Sequence, residues 1–155
     1  MAKWIRWTAP AAALSISSPV YAVQYLSVAD AQKLAFPSAT HFAEVQAGRI
    51  WKAEAGGRFI GFFVFDRVIG KHLYIDYSVA LDPGGRVRRV DILQYRESYG
   101  DEVKNPSWLA QFVGKTSAST LQVGNDIRNI SGATLSSHHV TEGVKRILAL
   151  ASHLR

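Results

Sequence analysis

The 155-residue sequence contains no cysteine. Its absence excludes a disulfide, a thiolate metal site and a lipid-modified cysteine anchor within the chain. Charge of one sign is never concentrated either. Arg86, Arg88, Arg89, Lys104, Lys115, Arg128, Lys145 and Arg146 are spread along the chain, with no long basic block and no basic stripe interleaved with aromatics. Nucleic acid is therefore not an expected partner. No Gly-x-Ser-x-Gly elbow occurs, so a hydrolase built on Ser131 or Thr134 with His138 and Glu97 lacks its usual strained setting. His138 and His139 are adjacent instead of four apart, which is the wrong spacing for a helical zinc pair. No repeat, linker or low-complexity segment is present. After residue 22 no apolar run approaches the roughly 20 residues that cross a bilayer as a helix.

What is present reads as one globular domain. The chain is long enough for a real core, and 48% of it is hydrophobic against 19% charged. Residues 1–22 read as a secretory signal peptide. Lys3 and Arg6 form its positive start, Trp7 to Val20 its apolar run, and Val20-Tyr21-Ala22 its small-x-small cleavage site. Cleavage near Ala22 is expected, leaving a mature chain from Val23 in the periplasm or otherwise outside the cytoplasm. Losing Lys3 and Arg6 takes the net charge from +6 to +4. Such a surface suits an anionic cofactor or an acidic redox partner.

Along the mature chain, Ser27 to Phe36 predicts a short helix capped by Ser27 and ended by Pro37. His41 to Lys52 predicts one or two irregular strands broken at Gly48, and Gly56-Gly57 a turn. The Phe, Val and Ile of Arg58 to Ile69 predict a strand buried on both faces. In Lys71 to Leu81, Leu73, Ile75, Tyr77, Val79 and Leu81 alternate with more polar residues. Asp82-Pro83-Gly84-Gly85 turns that strand back into an antiparallel partner, Arg86 to Tyr95. Pro106 to Val113 predicts a short helix. Val140, Val144, Ile147, Leu148 and Ala151 predict a terminal helix with one apolar face. The expected fold class is α+β, with helices against one face of an antiparallel sheet.

Ser131-Gly132-Ala133-Thr134 lies where the chain enters that last helix, followed by Leu135-Ser136-Ser137. Ser136 or Ser137 is the expected cap. Gly132 permits a turn or a close approach. Free amides and the positive helix end make the junction a candidate anion site beside the Thr134 hydroxyl. By itself the pattern also fits an ordinary capped loop.

Ser131-Gly132-Ala133-Thr134 with Leu135-Ser136-Ser137 and a closing helix resembles the signature of the FMN-binding domain family. That family includes the flavin-carrying subunits of the sodium-pumping NADH:quinone reductase and of the Rnf complex, and small secreted relatives. The resemblance implies the same α+β architecture over residues 23–155. It implies an FMN cofactor joined by a phosphoester to Thr134, with Ser131, Gly132, Ala133, Leu135 and Ser136 around it. A second point of resemblance is Glu97-Ser98-Tyr99-Gly100, where the respiratory subunits carry an acid followed by Thr-Pro-Gly-Leu-Gly. This implies that Glu97, Ser98, Tyr99 and Gly100 line one edge of the flavin, with Tyr95 and Tyr99 as aromatics able to stack on it. The chain departs from the family at Arg128, three residues before Ser131, where many members carry an acid recognised by the attaching enzyme. Asp126 lies two positions earlier. Arg128 is expected to pair with the phosphate instead. The functional expectation is an exported electron-transfer flavoprotein rather than a stand-alone enzyme. It implies two partners: a flavin transferase, and a redox partner such as a membrane or haem protein. The other reading is a non-redox secreted module that binds free FMN or a similar anion reversibly.

Overall fold

The computed structural model describes residues 23–154, so the expected signal peptide lies outside them. Six strands form one sheet: β1 (Val23–Gln24), β2 (His41–Gln46), β3 (Ile50–Ala55), β4 (Arg58–Ile69), β5 (Tyr74–Leu81) and β6 (Val87–Tyr95). Their order is β1-β6-β5-β4-β3-β2, and every neighbouring pair is antiparallel. Three helices accompany the sheet: α1 (Val28–Ala35), α2 (Pro106–Leu109) and α3 (Thr134–Ala151). Among the described residues no helix is long and apolar enough to cross a membrane.

Local chemistry sets most boundaries. The Ser27 hydroxyl accepts from the Asp30 amide and starts α1, and β4 spans the Phe-rich run. β5 starts at Tyr74, three residues later than the alternation predicts, because residues 71–73 form a turn in which the Gly70 amide donates to the Leu73 carbonyl. α2 is a single turn continued by a 3-10 turn at Ala110–Phe112.

The sheet is covered on both faces, contrary to the one-face expectation. Ile75, Tyr77, Val79 and Leu81 of β5 pack with Val140, Val144 and Ile147 of α3 in the larger core. Phe63 of β4, Ala80 of β5 and Leu93 of β6 meet Ala31 and Ala35 of α1 in the smaller one. Strand alternation sends successive side chains to opposite faces, and small alanines let α1 lie close on the second.

α3 approaches the sheet at Gly143, where an added Cβ would lie 2.3 Å from Tyr77 Oη. There the Asp66 carboxylate accepts from Tyr77 Oη at 3.0 Å, from Arg146 at 2.8 Å and from Arg49 at 3.2 Å. Burial acts to raise the Asp66 carboxyl, but these donors outweigh it and hold it below its ordinary range. One carboxylate thus joins α3 to β4, β5 and the turn before β3, and fixes how α3 lies on the sheet.

Candidate functional site

α3 begins at Thr134. The residue in the capping position is Ala133, which has no side-chain oxygen, and no side chain caps the helix. The expected Ser136 and Ser137 caps fail because both residues lie inside the first turns. Ser137 Oγ donates back to the Ala133 carbonyl at 2.8 Å, and Ser136 turns towards the sheet. The first amides of α3 therefore lack intrahelical partners, at the positive end of the helix dipole. Thr134 is exposed, and its Oγ1 accepts only a long 3.4 Å bond from Asn129 Nδ2. Gly132 has a φ of +84° with nothing within 4 Å of an added Cβ, so the approach to Thr134 is open. Ser131 is exposed beside it, and Leu135 is 50% exposed.

The loop after β6 meets this turn through Tyr95. Tyr95 is buried, so it does not stack on a ligand as expected; its hydroxyl is a latch. Oη donates to the Tyr99 carbonyl and lies 3.0 Å from Ser136 Oγ. Burial raises the Tyr95 pKa above its ordinary value and keeps the hydroxyl protonated. Gly100 fits beneath the latch at a φ of +88°, where a Cβ would stand 2.7 Å from Tyr95 Oη and 3.1 Å from Ser136 Oγ. Tyr99 is left 86% exposed, and Ser98 is exposed beside it. The predicted residues Tyr99, Gly100, Ala133, Thr134 and Ser136 are thus brought to one place.

Glu97 faces a different segment. Its carboxylate accepts from the amides of His72 and Leu73 in the β4–β5 turn. Burial acts to raise this carboxyl, but the turn amides overcome it and hold the group below its usual range. The same turn is tied to α3, since His139 Nδ1 donates to the Ile69 carbonyl at 2.6 Å. Three segments are therefore joined pairwise: the 97–100 loop to α3 by Tyr95 and Ser136, the loop to the β4–β5 turn by Glu97, and that turn to α3 by His139. Ile69, Leu73, Tyr74, Tyr99 and Leu135, all exposed, lie on these same segments. The β4–β5 turn carries no signal for the site in the sequence. His139 stands out there only for its neighbour, and no spacing rule connects it with residue 69.

Arg128 and Asp126 are engaged in holding the preceding loop. The Arg128 amide donates to Gln111 Oε1 at 2.8 Å, and its carbonyl accepts from Trp108 Nε1 at 2.7 Å. The guanidinium also leans on Gln111, at 3.4 Å. Asp126 accepts from the amides of Gln122 and Leu121 and from Lys115 Nζ. The Gln122 amide does most to lower its pKa, to about 2, with Lys115 and Leu121 adding to it. Trp108, Gln111 and Lys115 thus brace the loop that delivers the chain to Ser131.

Residues 70–149 match the family model described as an FMN-binding domain. Over 145 residues the chain is 30% identical to a subunit of the proton-translocating ferredoxin:NAD(+) oxidoreductase complex of Clostridium ljungdahlii, covering 87% of this chain and 78% of that protein. The crystal structure of NqrC from Shewanella oneidensis superposes with a TM-score of 0.51 at 17% identity, covering 70% of this chain. This chain spans 65% of that one, and the likeness is one of fold.

Proposed function

Because the chain belongs to the FMN-binding domain family, we propose that it is an exported flavoprotein that carries FMN on a phosphoester to Thr134 and passes electrons. One observation carries the reading: an exposed threonine hydroxyl begins a helix that has no side-chain cap, with open space at the preceding glycine. These residues fit the group. The amides at the start of α3 offer the donors that a phosphate oxygen needs, and Gly132 leaves room for its bulk. Esterification converts a monoester of about −1.5 to −2 charge, by analogy with phosphothreonine, into a singly charged diester, which a helix terminus holds readily. The exposed apolar side chains of the 97–100 loop, the β4–β5 turn and Leu135 give the isoalloxazine ring a surface to rest on. When bound, FMN supplies the redox chemistry, and the chain positions it and excludes water from one side.

A tether keeps the cofactor with the protein outside the cytoplasm, where released FMN is diluted away, because attachment makes binding intramolecular. The attachment requires a separate flavin transferase. The relative named for a ferredoxin:NAD(+) oxidoreductase complex supports a redox partner, in keeping with an electron carrier rather than a stand-alone enzyme. The charged start, apolar run and Val20-Tyr21-Ala22 support export with cleavage after Ala22.

The test is mass spectrometry of protein coexpressed with a flavin transferase. An FMN adduct is expected on the peptide holding Thr134, absent in Thr134→Ala, whose stability stays within about 0.5 kcal/mol of the parent because the hydroxyl is exposed. An adduct that persists in Thr134→Ala refutes the assignment and points to Ser131. Flavin that leaves the parent on denaturation refutes the tether and supports reversible binding. An intact Met1 or Ala2 on protein from the native host refutes export with cleavage.

A further inference from the structure

A cleft of about 490 Å³ opens along the outer edge of β6. Its floor is the strand from Arg88 to Ile92. One wall is the end of α1, with Leu34, and the other is α2 and the turn after it, with Leu109 and Val113. On its outer side this stretch of β6 has no strand among the described residues, because β1 covers only Gln94 and Tyr95. Among the described residues, loop amides and carbonyls close the edge at its two ends. Tyr25 and Leu26 donate to the Leu93 carbonyl, and Val87 exchanges bonds with Gly114 and Lys115. Between them lie five residues of unpaired edge, about 17 Å of strand. Outward main-chain donors and acceptors on such an edge are a template for another strand.

The charge of the lining points to the kind of occupant. Arg88, Arg89 and Lys104 line the cleft against a single carboxylate, Asp91. Arg89 is spent on Asp91 at 2.6 and 2.8 Å, and Lys104 on Asp101. Arg88 bonds the Ala35 carbonyl through Nε and stacks on Phe36. Its two terminal nitrogens have no partner among the described residues. They lie on the α1 side, whereas the α2 side is apolar.

We propose that this edge receives an extended segment of a partner protein as an additional strand, with acidic side chains towards Arg88 and apolar side chains towards Leu109 and Val113. Alternation along a strand gives these two faces in turn, and main-chain pairing at a sheet edge is an established mode of peptide recognition. The cleft shares α2 with the bracing of the Thr134 loop, since Leu109 lines the cleft while its neighbour Trp108 holds the Arg128 carbonyl. Occupancy there therefore sits one residue away from the support of the flavin site.

The test uses acetyl-Val-Glu-Val-Glu-Val-amide, titrated into the isotope-labelled purified protein and followed by amide NMR. Expected are saturable shifts and slowed hydrogen exchange at Arg89 and Asp91, with dissociation constants up to about 1 mM. N-methylation of alternate peptide amides, which leaves the protein untouched, should weaken binding about tenfold or more in the register that faces β6. Lysine in place of the peptide glutamates, and Arg88→Glu in the protein, should each weaken it about fivefold or more, with a circular dichroism spectrum confirming that the variant folds. Absence of saturable shifts at about 2 mM peptide, shifts that map away from β6, or equal binding by both N-methylated registers would overturn the proposal.

Discussion

Replacing Tyr95 by phenylalanine tests the latch on which the site geometry depends. The ring stays in the core, and only the oxygen is lost. Two bonds go with it, to the Tyr99 carbonyl and to Ser136 Oγ at 3.0 Å. Their costs differ. Ser136 is 5% exposed, so its hydroxyl is left buried without a partner, at about 1–3 kcal/mol. Tyr99 is at the surface, and water can take over at its carbonyl for well under 1 kcal/mol. The sum is about 2 kcal/mol, or roughly 8 °C in Tm for a domain of this size. Ser136→Ala should cost less, about 1 kcal/mol, because Tyr95 keeps its bond to Tyr99. The double variant leaves no hydroxyl stranded, so the two losses should fall short of adding by about 1 kcal/mol. Urea unfolding of the four proteins gives the cycle, and amide exchange at Gly100 reports locally whether the loop has come away from α3. A Tyr95→Phe protein within about 0.5 kcal/mol of the parent, with Gly100 equally protected, would refute the latch.

Gly143→Ala forces a methyl group to 2.3 Å from Tyr77 Oη; α3 must lift, and a loss of about 2 kcal/mol or more is expected in urea unfolding. Alkali should unfold the protein through Tyr77 and Tyr95. Burial raises both above the ordinary 10.0, so above pH 10 the unfolded chain binds fewer protons than the folded one and stability falls as pH rises. Urea midpoints at pH 8 and pH 11 should show the fall, with a shallower slope in Tyr77→Phe. Acid should loosen the loop before Ser131. Asp126 titrates at about 2 folded against 3.8 ordinarily, so its contribution is complete above pH 3.8 and is lost as pH falls towards 2. Asp126→Asn should bring that loosening to neutral pH, measured by exchange at the Leu121 and Gln122 amides.

The strands are largely legible in the sequence because their signals are local. Gly56-Gly57 and the phenylalanines after it bound β4, and Asp82-Pro83-Gly84-Gly85 joins β5 to β6 as the turn chemistry predicts. The start of β5 is not legible, because alternation continues through His72 and Leu73, although those residues form a turn held by the distant Glu97. The second covered face is hidden for a similar reason. Asp76, Ser78 and Ala80 form the more polar face of the alternation, yet all three are buried, Asp76 beneath Arg67 and Arg96 and Ala80 beneath α1. The motif at Thr134 is visible as a string of residues. Its surroundings are not, because Tyr95 meets Ser136 across 41 positions and His139 meets Ile69 across 70.

Those separations set a timetable. Each of the three ties around Thr134 joins segments made at different times, and two of them close only after residues 136 and 139 have emerged. No fragment that stops short of α3 contains the arrangement, because the ties to Ser136 and His139 join residues far apart in the sequence. An enzyme that reads this geometry, instead of the bare string Ser131-Gly132-Ala133-Thr134, acts only once α3 has folded onto the sheet. Modification at Thr134 would then serve as a record that folding had been completed, and incomplete or misfolded copies would carry no mark.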